Sequence, residues 1–123
     1  MNQLLWVLQG ALAVMFATAG VMKASEPKDE LATKLPWVED YSGSTVKLIG
    51  IAELAAAMGL LLPGMTGIAV LLTPIAALGI VVLMALAVLT HARRGESTSI
   101  AFNIALLLLG AFVAWGRFGT YSL

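Results

Sequence analysis

Charged positions along the chain fall in clumps, and the stretches between them are apolar. Residues 1–22 carry no charged side chain. Within them, 4–22 matches the roughly 20 residues that cross a hydrocarbon core as a helix. Residues 54–90 also lack charged side chains, a run too long for one ordinary span. Pro63 and Gly64 divide it, because proline stops a helix and glycine turns the chain. The pattern therefore predicts a hairpin, with a span over 46–62, a tight turn at 63–66 and a span over 67–89. A fourth span is expected over 99–115. These runs of Leu, Ala, Ile and Val show no period-two alternation. In lipid every backbone amide must be bonded internally, so such runs read as helices.

The polar stretch between the first two spans has its own pattern. Ser25, Glu26 and Pro27 read as a helix start, with Ser25 as the cap. Leu31, Leu35 and Val38 recur at helical spacing until Pro36 interrupts, which predicts one short amphipathic helix and a turn. Trp37 and Tyr41 suit the headgroup zone. The segment is expected to lie on the bilayer surface, with a lid over the bundle as the functional alternative. The expected fold is all-α: a transmembrane four-helix bundle forming a single membrane domain over 1–123. Pro74, inside the third predicted span, is expected to kink it.

Composition agrees with the pattern. The 123 residues are 60% hydrophobic and 11% charged, with a mean hydropathy of +0.96. Soluble domains average roughly 45–50% apolar and about 25% charged, so lipid is the solvent this chain fits. Seven basic and seven acidic residues give zero net charge. No basic cluster exceeds the Arg93-Arg94 pair, which leaves no footprint for nucleic acid. The absence of cysteine excludes disulfides, thiolate metal sites and CxxC chemistry within the chain. His91, the single histidine, builds no metal site alone, and no cofactor is identifiable. Ala17-Thr18-Ala19 has the form of a signal cleavage site, but no basic segment precedes it and the apolar run is too long for one. The first span is expected to stay.

With four spans, the first and third loops share one side of the membrane. That side holds Lys23, Lys28, Lys34, Lys47, Arg93 and Arg94, while the other holds only Arg117. Basic residues near span ends favour the cytoplasm. Both long loops are therefore expected inside and both termini outside, in a bacterial cell membrane. Arg117, near Trp115, reads as an interfacial anchor.

Glu53 is the residue that most needs an explanation. It lies about 10 Å into the second span at roughly 1.5 Å per residue. A carboxylate at that depth is usually paired, protonated or wet. Lys23 and Lys47 are its candidate partners. Residues 47, 50, 53 and 57 lie within about 120° of one helix face. His91 ends the third span and Asn103 begins the fourth, so connectivity gathers Lys23, Lys47, Glu53, His91 and Asn103 in one leaflet, under the first loop. The arrangement suggests a polar-floored pocket in an apolar bundle. The plainer reading is that the pair locks helix packing, that Lys and His snorkel to headgroups and that Asn103 bonds between helices.

Two segments carry a family resemblance. Phe16-Ala17-Thr18-Ala19-Gly20-Val21-Met22-Lys23 resembles the end of the first helix in DoxX-like membrane proteins. Lys47-Leu48-Ile49-Gly50-Ile51-Ala52-Glu53-Leu54, followed by Gly59-Leu60-Leu61-Leu62-Pro63, resembles their second helix. The matching positions are Lys23, Gly50 and Glu53. The resemblance implies a four-helix membrane protein, and for some relatives an association with membrane redox complexes linked to quinone.

Three functions follow as expectations. The chain binds a small apolar molecule, a quinone or lipid, at Lys23, Lys47, Glu53, His91 and Asn103, beside a protein partner or as a homo-oligomer. Or it is an intramembrane enzyme, with Glu53 as general acid or base for isomerisation or cyclisation of a hydrophobic substrate. Or it is an assembly protein whose Glu53 only joins helices. Transport fits less well, because no row of ionisable residues crosses the membrane.

Overall fold

A computed structural model describes residues 1–123 and contains helices and no strands. Four helices are long and apolar enough to cross a membrane: α1 (Asn2–Ser25), α3 (Gly43–Thr66), α4 (Leu72–Arg94) and α5 (Ser97–Phe118). The first loop holds the short helix α2 (Lys28–Lys34) and a 3-10 turn at Pro36–Asp40. α1 packs along α3 and α4 along α5, α3 joins the pairs through α4, and α1 and α5 meet sparsely.

The interior is apolar, built around Leu5, Leu12, Phe16, Leu60, Ile80 and Val113. The outward surface is apolar too, with Val7, Val14, Leu48, Met58, Val82 and Leu108 all exposed. A chain with apolar residues on both sides of its helices is solvated by hydrocarbon. The protein is an integral, multi-pass membrane protein.

Three local features differ from the sequence reading. The second span does not stop at Pro63. α3 continues to Thr66 and ends at Gly67, whose φ of +72° is the left-handed C-terminal cap that glycine adopts freely. Proline lacks the N–H that would bond the carbonyl of Gly59. The hydroxyl of Thr73, on the next helix, donates to that carbonyl at 2.8 Å instead. The interior proline is thus accommodated as membrane helices allow, and the turn falls at residues 67–71. Pro74 does not kink a span. It stands in the first turn of α4, where a backbone N–H has no partner within the helix. Ser25 does not cap the loop helix, because α1 runs on through it and its hydroxyl donates to the carbonyl of Val21.

The loop is held down by a small apolar cluster of Leu31, Val38 and Val46, with Met22, Leu35, Trp37 and Tyr41 packed against it. Two polar contacts tie it to the far pair of helices. The Tyr41 hydroxyl and the Thr90 Oγ1 are 2.6 Å apart, and Arg94 Nη1 donates to Asp40 Oδ2 at 2.9 Å. The segment therefore roofs this end of the bundle.

Candidate functional site

The site grows from two helices in unusually close contact. α1 and α3 touch at Gly20 and Gly50, where an added Cβ on either would lie under 3 Å from the other's carbonyl oxygen. Three residues later on each helix stand Lys23 and Glu53. One helical turn carries each side chain into the same interface, and Lys23 Nζ donates to Glu53 Oε1 at 2.8 Å. Glu53 is only 3% exposed. Lys23 also lies over the Trp37 ring, 5.2 Å from its centroid, so the ammonium is held between a carboxylate and an aromatic face.

Two cavities meet at this pair. The larger, about 540 Å³, lies between α1 and α5, with α4 and the first loop completing its wall. Its apolar wall includes Met15, Phe16, Phe102 and Leu106, and its polar groups include Lys23, Glu53, His91 and Asn103. The smaller, about 310 Å³, lies on the α3–α4 side and is lined by Tyr41, Ile49, Leu86 and Thr90 among others. Lys23, Trp37, Glu53, Met84, Ala87 and His91 border both. At the opposite end of the bundle Leu5 of α1 rests on Gly116 of α5.

Four of the five expected ligand-binding residues come together. Lys23, Glu53, His91 and Asn103 all line the larger cavity. Asn103 is 8% exposed and its amide has no hydrogen-bond partner in the protein, nor has the second carboxylate oxygen of Glu53. Lys47 is not brought in. It is exposed and lines a surface groove with Glu26 and Lys28 that reaches the site only through Lys23. The six residues from 47 to 53 turn a helix by about 600°, which leaves the two side chains some 120° apart, with Gly50 between them.

Two participants were not singled out from sequence. Trp37, expected at the headgroups, forms part of the wall of both cavities. Glu96 is the other. Its Oε1 lies 2.7 Å from His91 Nδ1, and Arg94 Nε approaches its other oxygen at 3.4 Å. The bond to His91, aided by Arg94, holds the Glu96 carboxyl below the usual carboxylate range. The signal was a spacing of five residues across the α4–α5 turn, where Gly95 at φ +71° reverses the chain.

The opposite end of the bundle holds a second polar cluster, and it corrects the reading of Arg117. This side chain is 2% exposed, not an interfacial anchor. Its Nε donates to Gln9 Oε1 at 2.6 Å, and its Nη1 donates to Asn2 Oδ1 and to the Tyr121 carbonyl. Gln9 in turn donates to the carbonyl of Leu60 at 2.6 Å. The guanidinium sits 5.5 Å from the Trp6 ring. The cluster binds α1, α3 and α5 with neutral acceptors, and it touches neither cavity.

Compared with known proteins, residues 7–113 match the family model described as the DoxX-like family. No curated protein and no solved structure matches.

Proposed function

The chain belongs to the DoxX-like family, and on that footing we propose that it binds a small, largely apolar molecule with a polar head, a quinone or a lipid, in the cavity between α1 and α5. The observation that carries this reading is the 540 Å³ cavity itself, whose floor offers a Glu53 oxygen and an Asn103 amide with no protein partner. Both groups face the cavity and are open to what fills it. A ligand whose head bonds these groups and whose tail lies along Phe16, Phe102 and Leu106 would complete them. The apolar side chains that α1 and α5 contribute to the wall would receive such a tail. The resemblance to relatives of membrane redox complexes extends the proposal to a role as a ligand-binding subunit beside a partner protein. The basic residues near the span ends favour an orientation with both long loops in the cytoplasm.

A second reading is enzymatic. Glu53 would take a proton from one carbon of a hydrophobic substrate and return it to another, with no cofactor needed for such an isomerisation. Its support is the placement of Glu53 on the cavity wall with an ammonium at 2.8 Å to set its proton affinity.

The test is mass spectrometry of small molecules extracted from gently purified wild type and Glu53→Gln. A stoichiometric molecule retained by the wild type and lost from the variant supports binding, and its turnover by the wild type would favour the enzyme. A folded pair of proteins, both without a retained molecule, would move the role to assembly.

A further inference from the structure

The smaller cavity, about 310 Å³, lies between α3 and α4 and is left unused by the binding proposed above. Ligand pockets run to roughly 300–1,000 Å³, so it is large enough to hold part of a molecule. Leu83, Leu86, Thr90 and Arg93 line it from α4. At 3.6 residues per turn these four fall within about 80° of one helix face. From Leu83 to Arg93 that face rises about 15 Å. Ile49 of α3 adds to the apolar wall. Buried Glu53 and Met84 close the inner side, while Leu86 and Arg93 on the rim are exposed. The slot thus leads along α4 from an apolar end to a guanidinium in the last turn of the span.

That guanidinium is the one charge of the slot without a partner. Lys23 donates to Glu53 at 2.8 Å, and His91 lies 2.7 Å from Glu96. The neighbouring Arg94 takes Asp40 at 2.9 Å and the other oxygen of Glu96 at 3.4 Å. The rim hydroxyls are occupied as well, Tyr41 with Thr90 and Thr45 with Ser42. Arg93, exposed at the end of the span, has no carboxylate to pair with.

We propose that this slot holds one acyl chain of a membrane lipid whose head group is negatively charged, with the head group's phosphate bonded by Arg93. A guanidinium presents a planar fork of donors that matches phosphate bidentately. Basic pockets between transmembrane helices take such head groups. A zwitterionic head group brings a cation that finds no free carboxylate in the slot, because Glu53 is already bonded to Lys23. The acyl chain lies along Leu83, Leu86 and Ile49. Neither Arg93 nor Ile49 lines the larger cavity, so this site is separate from the one proposed there.

The test is native mass spectrometry of the protein released from nanodiscs that hold equal amounts of phosphatidylglycerol and phosphatidylcholine with identical acyl chains. Wild type is expected to retain phosphatidylglycerol over phosphatidylcholine by about fivefold, the effect of one basic side chain at a membrane surface. Arg93→Gln should abolish the preference. Lys28→Gln removes an equal charge from the same end of the bundle but outside the slot, and should leave the preference unchanged. Ile49→Trp fills the slot and keeps Arg93, and should lower the amount of lipid retained. Equal retention of the two lipids by wild type overturns the proposal. So does a preference that survives Arg93→Gln, or one that Lys28→Gln removes just as well, which would be the diffuse attraction of a basic surface. Should Ile49→Trp fail to fold, the comparison of Arg93→Gln with Lys28→Gln decides alone.

Discussion

A Cβ on Gly20 would stand 2.7 Å from the carbonyl oxygen of Gly50, and a Cβ on Gly50 would stand 2.8 Å from that of Gly20. The two backbones therefore touch, and a side chain on either must push α1 and α3 apart. Helices in lipid gain little from hydrophobic attraction, so close packing of this kind is what joins them. The same approach sets the reach of Lys23 to Glu53 one turn further on.

Gly50→Ala is expected to destabilise the protein by about 1–3 kcal/mol, the usual cost of overpacking. It should also weaken ligand retention by displacing Glu53. Gly10→Ala is the control, since nothing lies within 4 Å of its added methyl. Thermal unfolding in detergent should show a lowered midpoint for Gly50→Ala alone. Matching midpoints for the two variants would remove the close contact from the account.

Much of this was legible from residue order. The spans follow from hydropathy, and the meeting of Lys23, Glu53, His91 and Asn103 follows from connectivity, because an even number of crossings places these helix ends together. What escaped depends on partners remote in sequence. Pro63 reads locally as a stop, and only Thr73 on the neighbouring helix lets α3 pass through it. Arg117 reads locally as an anchor beside Trp115, and only the approach of α1 supplies Gln9 and Asn2. Lys47 seemed as near to Glu53 as Lys23 does, until the helical angle and the glycine contact separated them.

The Lys23–Glu53 pair should show the asymmetry of a buried ion pair. Lys23→Met strands a carboxylate that is 3% exposed and is expected to cost about 3–5 kcal/mol. Glu53→Gln should cost less, because its amide oxygen still accepts from Lys23. Replacing both, in Lys23→Met/Glu53→Leu, should recover a large part of the loss. A double-mutant cycle of unfolding free energies measures this, and additive single effects would show the 2.8 Å contact to be without energetic consequence.

Arg117 should matter to stability and not to ligand. Arg117→Met leaves the oxygens of Gln9, Asn2 and Tyr121 without a donor, which is expected to cost about 1–3 kcal/mol. The cavity lies at the other end of the bundle, so retained ligand per folded molecule should not change. Extraction and quantification from the folded fraction checks it. A selective loss of ligand would instead tie the two ends together.

The acid limb of stability should carry the signature of Glu96. Its folded-state pKa is depressed, chiefly by the hydrogen bond with His91. A depressed carboxyl stabilises the fold above its unfolded value, near 4.5, and loses that contribution as pH falls through the folded value. Wild type should therefore melt higher than Glu96→Gln at pH 6, and the gap should close as the pH falls from the unfolded value through the depressed folded one. Other carboxylates titrate in the same range, so the difference between the two proteins, not the wild-type curve, isolates this one. A constant gap from pH 6 to pH 3 would mean that the contact contributes through neutral hydrogen bonding.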